Sequence, residues 1–160
     1  MKHLISVIIL AVCAFCSFAC DPPRIENNHI YWYAKNTTNE VVSVSWTKSD
    51  NTKNDKQITP GDSVLLVANG FISQNSDMLS MDLIKNQFAS DKVKVDLYSN
   101  TGQFVKTWTY EDGNSGGRQM FNESYNRLIV TGSPNGNLNT DSVFVWVFDI
   151  IPEDLAVEGK

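Results

Sequence analysis

Residues 92–98 read KVKVDLY, and this short stretch decides the fold class. Val93, Val95 and Leu97 alternate with charged residues, so one side of the segment is apolar and the other is polar. Successive side chains of a β-strand point to opposite faces, whereas those of a helix repeat every 3.6 residues. The alternation therefore predicts a half-buried strand with a solvated outer face.

The same two-residue period recurs along most of the chain. Val42, Val44 and Trp46 alternate with serines, whereas residues 128–130 and 143–151 (VFVWVFDII) are apolar at almost every position. The dense runs favour central strands that are covered on both faces. Segments rich in Gly, Pro, Asn and Asp separate the runs. The pattern predicts a mostly β fold, a single antiparallel β-sandwich, immunoglobulin-like or similar, with about seven to nine strands and at most one short helix.

Two connections have the composition of hairpin turns. Residues 100–102 (NTG) separate two strand-like runs, and Gly102 suits the left-handed position of a three-residue turn. Residues 36–40 are predicted to join a strand over 30–35 to a strand over 41–47 in the same way.

Two other segments have helical features. Within residues 77–88, Met81, Ile84 and Phe88 share a helical face, so a helical turn or an irregular crossover between sheets is expected. Near the end, Pro152 followed by two acidic residues predicts one helical turn over 151–155.

The first 19 residues have the composition of a secretory signal peptide. Lys2 is followed by an apolar run, and Ala19 is a small residue before a cleavage point. The run is shorter than the roughly 20 residues that a spanning helix needs, and acidic and proline residues follow it rather than basic ones. A cleaved signal peptide over 1–19 is therefore expected.

Residues 17–20 (SFAC) resemble a bacterial lipobox, in which a small residue precedes a cysteine that receives diacylglycerol. The resemblance implies lipidation of Cys20, with palmitate-like acyl chains that hold the protein to a membrane of the cell envelope. We expect this membrane to be the outer membrane. Ordinary cleavage that leaves a free thiol is the alternative. Residues 20–28 would then form the lipidated N-terminus and tether, 29–155 the sandwich domain and 156–160 a disordered tail.

The whole pattern is similar to small lipoproteins of Gram-negative anaerobes. The resemblance rests on the lipobox-like start and on three stretches, ITPGDSVLL at 58–66, NSGGRQMFNESY at 114–125 and VFDIIPEDL at 147–155. It implies an envelope location and a sandwich fold, and it implies no catalytic residue.

Composition limits the partners and cofactors. The chain has a formal net charge of −5, and its basic residues are scattered, so a nucleic-acid partner is not expected. All three cysteines lie at or before residue 20, which leaves the domain without thiolates for a disulfide, a zinc site or an iron–sulfur cluster. No cofactor and no metal are expected.

Candidate catalytic groups are few. His29 is the one histidine after residue 3, so neither a histidine-based metal site nor a Ser-His-Asp triad has a centre. Asp112 and Glu123 could act as a glycosidase pair if they lay about 5 to 10 Å apart. Residues 135–141 alternate oxygen-bearing side chains as calcium loops do, but a solvated hairpin loop is the simpler interpretation.

The aromatic residues suggest a binding surface. Tyr31 and Tyr33 lie on one face of their strand and Trp32 lies on the other. Because Trp32 can fill the core, Tyr31 and Tyr33 are the candidates for an exposed platform for a glycan or an envelope protein. Aromatic residues that only fill the core are the simpler interpretation. Trp108 is expected to be core, because the alternate residues of its strand form a poor apolar face.

Two serines could carry a modification. Asp62-Ser63-Val64 and Asp141-Ser142-Val143 are similar to the short Asp-Ser/Thr-aliphatic sequence on which some Gram-negative anaerobes O-glycosylate exported proteins. The resemblance implies Ser63 and Ser142 as acceptors. The function expected from the sequence is a non-catalytic binding or interaction module of the cell envelope; the alternative is a small carboxylate-dependent hydrolase.

Overall fold

The fold comes from a computed structural model, which describes residues 26–73, 84, 86–88, 93–111, 118–131 and 142–156. Eight strands lie in this part of the chain. They are β1 (Glu26–Asn36), β2 (Val42–Thr47), β3 (Lys53–Ile58), β4 (Ser63–Ser73), β5 (Lys94–Tyr98), β6 (Phe104–Thr109), β7 (Asn126–Thr131) and β8 (Ser142–Ile150). A β1 that begins at Glu26 starts three residues before the predicted domain boundary at His29.

The strands form two four-stranded sheets that pack as a sandwich. Sheet A has the order β4-β1-β8-β7 and sheet B has the order β3-β2-β5-β6. The predicted mostly β sandwich is confirmed. One pair in sheet A departs from antiparallel geometry, because β1 and β8 run parallel. Neighbouring strands that a hairpin joins run antiparallel. β1 and β8 are instead joined by the whole intervening chain, which is long enough to bring them together in parallel.

The alternation seen in the sequence places the core between the sheets. Trp46, Val95 and Trp108 lie side by side across β2, β5 and β6, and all three are buried. From sheet A, Phe148 packs against Trp108 with ring centroids 5.2 Å apart in an edge-to-face arrangement. Aromatic pairs of this geometry stabilise a core beyond their buried area.

The predicted hairpin at residues 36–40 is wrong. β1 pairs with β4 and β8 of sheet A, whereas β2 pairs with β3 and β5 of sheet B, so the segment is a crossover between sheets. The buried side chain of Asn36 holds this corner: its amide donates to the carbonyl oxygens of Glu40 (2.7 Å) and Ile58 (2.8 Å). Its oxygen accepts from the backbone N–H of Thr38 at 2.9 Å. A side chain that satisfies these backbone groups replaces the hydrogen bonds that a hairpin would have made.

The other predicted connections have different outcomes. The turn at 100–102 does join β5 to β6, with Gly102 at a φ of +76°. The C-terminal turn is a 3-10 helix over Pro152–Leu155, as expected. Most of the 77–88 segment lies outside the described residues, but Ile84 and Phe88 are both buried in the core.

The two dense apolar runs occupy different positions. β8 is central in sheet A, as predicted for residues 143–151, but no second layer of described residues covers its outer face, so the expected burial of both faces is wrong. The prediction that residues 128–130 form a central strand is wrong, because they belong to β7 at the edge of the sheet. Leu128, Ile129 and Val130 are all exposed there. The composition of a segment shows that the strand is apolar, but the position of that strand in the sheet depends on long-range pairing.

Candidate binding surface on the outer face of sheet A

The pairing registers determine which side chains share the outer face of sheet A. Tyr33 is paired with Leu65 on β4 and with Val147 on β8. Tyr31 is paired with Ala68 and Val145, and Val145 is paired in turn with Ile129 on β7. Paired residues point to the same side of a sheet. We call this group the outer patch: Tyr31, Tyr33, Leu65, Ala68, Ile129, Val145 and Val147.

One row of the outer patch, formed by Ala68, Tyr31, Val145 and Ile129, is apolar on all four strands of sheet A, whereas the row of Tyr33 ends at Arg127 on β7. Val147 is buried within the patch. Tyr31, Tyr33 and Val145 are half-buried, and Leu65 and Ile129 are exposed. Inward-facing Ile30, Trp32 and Ala34 alternate with the tyrosines on β1 and are fully or almost fully buried. The tyrosines therefore lie on the face away from the core, as the sequence indicates.

Along the strands, polar groups lie beyond each of the two rows of the outer patch. Lys35 is paired with Ser63 and Asp149 beyond Tyr33, and His29 is paired with Gly70 and Val143 beyond Tyr31. The guanidinium Nη2 of Arg127 lies 3.6 Å from Oδ1 of Asp149, which is an ion pair rather than a hydrogen bond. An apolar centre with a polar border is the usual composition of a recognition surface.

The outer face of sheet B has a different character. Thr107 donates its hydroxyl to Oδ1 of Asp96 at 2.6 Å, and Lys94 Nζ lies 3.0 Å from Oδ2 of the same carboxylate. A hydrogen bond from Ser45 is the main factor that lowers the pKa of Asp55. These side chains form hydrogen bonds and ion pairs with one another. The two sheets share one core, yet among the described residues the outer face of sheet A carries more apolar side chains than that of sheet B.

Sheet B carries a pair of aromatic residues beside the turn that joins β5 to β6. Tyr98 and Phe104 lie edge to face with centroids 5.9 Å apart, and Tyr98 is half-buried while Phe104 is exposed. Neither Ser43 nor Gln57 in the same row is apolar, so this pair does not extend across the sheet.

The described residues give no grouping that favours metal or acid–base chemistry. Within that part of the chain, no three His, Cys, Asp or Glu side chains are clustered so that they could hold a metal ion. Glu123 is exposed on a 3-10 turn over Glu123–Tyr125, whereas Asp112 and the 135–141 loop lie outside the described residues. In the same part of the chain, no helix has the length and apolar composition to cross a membrane.

The predicted modification and lipidation residues lie in different surroundings. Cys20 is outside the described residues. Ser63 is exposed at the start of β4, whereas Ser142 is buried at the start of β8. Modification of Ser142 would therefore have to precede folding, while Ser63 is accessible in the folded domain.

Sequence reasoning found the tyrosines of the outer patch but not the residues around them. Leu65, Val145 and Ile129 come from three different strands, and only the register brings them beside Tyr31 and Tyr33. The sequence feature that could have indicated these neighbours is the run over residues 143–151, which is apolar on both faces of its strand. In the described structure, no second layer covers its outer face, so that face forms the middle of the patch.

Comparison with known proteins identifies no relative of this chain: no family model, curated protein or solved structure matches it.

Proposed function

We propose that this protein is a lipid-anchored binding module of the cell envelope and that it binds a short glycan on the outer patch. The observation that carries the proposal is the contrast between the two sheets. Sheet B has the hydrogen-bonded, charged outer face of a solvated surface, whereas the centre of the outer face of sheet A is aromatic and aliphatic. Contiguous exposed apolar surface on a folded domain usually marks a site of interaction.

The N-terminal sequence supports the anchoring part of the proposal. Signal-peptide composition up to Ala19 is followed by Cys20, and residues 21–25 separate that cysteine from the start of β1 at Glu26. At no more than about 3.6 Å per residue, this tether spans less than about 20 Å. A protein attached through Cys20 would hold β1, and with it Tyr31 and Tyr33, close to the membrane surface.

The composition of the outer patch supports binding rather than catalysis. Its members are aliphatic residues and tyrosines, and none is a carboxylate, an imidazole or a thiol. Catalysis needs convergent titratable groups around a reacting atom. A tyrosine instead offers a flat apolar ring with a hydroxyl at its end, which suits a sugar ring whose faces are apolar and whose edges carry hydroxyls.

The size of the outer patch favours a small ligand over a protein. Strands lie about 4.8 Å apart and same-face residues about 6.8 Å apart along a strand, so the patch covers on the order of 200 Å². A stable protein–protein interface buries about 800 Å² on each partner. The patch is therefore closer in size to an oligosaccharide of two or three residues.

The experiment compares a patch variant with a matched variant on the other sheet. We would measure binding of maltotriose, cellotriose and triacetylchitotriose to the full-length protein in detergent by calorimetry. Tyr31→Ser/Tyr33→Ser removes both rings from the outer patch. Tyr98→Ser is the control, because Tyr98 is a half-buried tyrosine on the outer face of sheet B.

We expect at least one of the three sugars to bind the native protein and the Tyr98→Ser protein alike, and the double variant to lose that binding. If no sugar binds, or if the double variant binds as the native protein does, the glycan proposal is wrong. Copurification of an envelope protein that depends on Tyr31 and Tyr33 would assign the patch to a protein ligand instead.

A further inference from the structure

The edge of sheet A at β7 is apolar on both sides of the strand. Leu128, Ile129 and Val130 are 39%, 41% and 43% exposed, which is unusual for three consecutive large apolar residues. Leu128 and Val130 are paired with Trp146 and Phe144 on the core side, while Ile129 is paired with Val145 on the outer side. In the described chain, β8 is the only strand paired with β7. Among the described residues, the other edge of β7 has no strand partner, and apolar side chains flank it on both faces.

The other three edge strands carry features that hinder pairing. β3 has three charged residues among its six, Lys53, Asp55 and Lys56. β6 has a register irregularity opposite Leu97/Tyr98 and a central lysine, Lys106, that points toward the buried carboxylate of Asp154. Charges, inward-pointing lysines and bulges are the usual protection of a sheet edge.

β4 is hindered by its geometry rather than by charge. Its pairing with β1 is irregular at Trp32/Tyr33, and it contacts β3 of the opposite sheet, to which a short turn connects it. β7 has none of these features. It is paired with β8 in unbroken register from Asn126 to Thr131.

The charges of β7 favour a copy of the same chain as the partner. Arg127 is the one charged residue of the strand, and it already lies 3.6 Å from Asp149 of its own chain. The strand therefore has little net charge with which to attract a charged partner or to repel itself. When RLIVT (residues 127–131) is aligned antiparallel with its own copy about Ile129, Arg127 faces Thr131 and Leu128 faces Val130. No like charges are opposed, and every large apolar residue faces another one.

We propose that two copies of this protein associate through β7, which pairs antiparallel with its counterpart across a two-fold axis at Ile129. A two-fold axis is the commonest symmetry of homodimers and requires a self-complementary surface. About four to six backbone hydrogen bonds would form, depending on which residues point outward. Sheet A then continues as one sheet through both copies. Ile129 of each copy meets the other on the outer face, and the two outer patches lie on the same side.

Association through β7 does not depend on which ligand the outer patch binds. A dimer through β7 could form whether or not Tyr31 and Tyr33 bind a sugar. Its test therefore reads association and not ligand binding.

A single introduced cysteine tests the axis in the full chain. All three native cysteines lie at or before residue 20, so a new cysteine is the only thiol of the domain. Directly opposed strand residues have Cα atoms about 4.5 to 5.5 Å apart, within the range that a disulfide bridges. Ile129→Cys is the test variant. Phe104→Cys, on the edge of sheet B and 57% exposed, is the control.

Cells that express each variant are treated with a mild oxidant, and the protein is examined on a non-reducing gel. The native chain, treated in the same way, shows how much disulfide-linked dimer the N-terminal cysteines form on their own. We expect several-fold more dimer with Ile129→Cys than with Phe104→Cys. Equal dimer in both variants, no dimer in either, or cross-linking of Ile129→Cys to a protein of another size would each overturn the proposal.

A second measurement uses charge instead of a thiol. Two differently tagged copies are expressed together, and capture of one is scored for the other. Ile129→Lys in both copies places like charges at the axis and should abolish capture, whereas Ile129→Lys in one copy with Ile129→Glu in the other should restore it. Ile129 is exposed, so neither change should prevent folding. Capture that survives in the Lys/Lys pair, or fails to return in the Lys/Glu pair, contradicts the proposed axis.

Discussion

Trp108 and Tyr33 represent the two kinds of aromatic position in this domain. Trp108 is fully buried, packs edge to face on Phe148 and lies under the ammonium group of Lys106 at 5.2 Å. Tyr33 is half-buried on the outer face of sheet A, between Leu65 and Val147. One ring is surrounded by protein, and the other is partly in water.

Truncation of these two rings should have very different effects on stability. Trp108→Ala is expected to lower the free energy of unfolding by about 3 to 5 kcal/mol, because it leaves a cavity the size of an indole ring in the core. Tyr33→Ala removes a partly solvated ring and should cost about 1 kcal/mol. Equilibrium unfolding of the two variants in urea measures both changes in the free energy of unfolding. The reverse order of stability would show that the faces of β1 and β6 are wrongly assigned.

Accessibility separates the two serines that resemble glycosylation sites. Ser63 is exposed in the folded domain and Ser142 is buried. If the protein is O-glycosylated after folding, intact-mass spectrometry of the native material should show a glycan that is lost in Ser63→Ala and retained in Ser142→Ala. A mass equal to that of the lipidated polypeptide alone would remove the hypothesis.

At the scale of elements, the C-terminal turn Pro152–Leu155 is fastened by a buried ion-pair network. Asp154 is 2% exposed, and its Oδ2 accepts from Nε of Arg118 and from the backbone N–H of Ile151, both at 3.1 Å. Arg118 also donates to the carbonyl of Asp149, and its guanidinium lies 4.4 Å from the ring centroid of Phe148. The network joins the turn to β8 and, through Lys106, to β6 of the other sheet.

Removal of this carboxylate should be costly. Asp154→Ala leaves Arg118 and the N–H of Ile151 without their acceptor, and we expect a loss of about 3 kcal/mol. This is the low end for a broken buried pair, because the side chains of Arg118 and Lys106 remain 23% and 30% exposed. Lys53→Ala, which breaks a 3.2 Å pair with Asp55 in solvent, is the control and should change stability by less than about 0.5 kcal/mol. Similar losses for the two variants in chemical denaturation would contradict this account.

The β5–β6 hairpin depends on the left-handed conformation of Gly102. Its φ is +76°, and a Cβ added there would meet no atom within 4 Å, so the cost of Gly102→Ala is purely conformational. We expect a loss of about 1 kcal/mol. Gly70→Ala is the matched control, because a Cβ at Gly70 would lie 3.5 Å from Nδ1 of His29, an ordinary contact, in a strand. Calorimetric melting should separate the two, and equal melting temperatures would count against the turn geometry.

At the scale of the whole molecule, the membrane anchor is a property that the sandwich itself does not supply. The proposed attachment is the thiol of Cys20, since acyl chains contribute about 0.8 kcal/mol for each buried methylene. Detergent-phase partitioning of the native protein should be lost in Cys20→Ser, while the domain should melt at the same temperature. Equal partitioning of the two proteins would mean that the lipid proposal is wrong.

The sequence by itself determined the fold class and the buried faces of several strands. Val95 and Leu97 are buried, and Trp32 and Trp108 lie in the core, because a strand of period two can bury only one set of its side chains. The turn at Gly102 and the 3-10 helix after Ile151 also follow from the local sequence, because glycine and proline favour the backbone conformations found there.

Only the tertiary structure decided which strands are neighbours. Residues 36–40 have the composition of a hairpin turn, yet Asn36 bonds to Ile58 and the chain crosses to the other sheet. Residues 128–130 are as apolar as a central strand, yet they lie at an edge. Pairing is chosen by hydrogen bonds and contacts between segments far apart in sequence, which no local pattern contains. The outer patch and the open edge of β7 both follow from that choice, because each is formed by the register of β4, β1, β8 and β7.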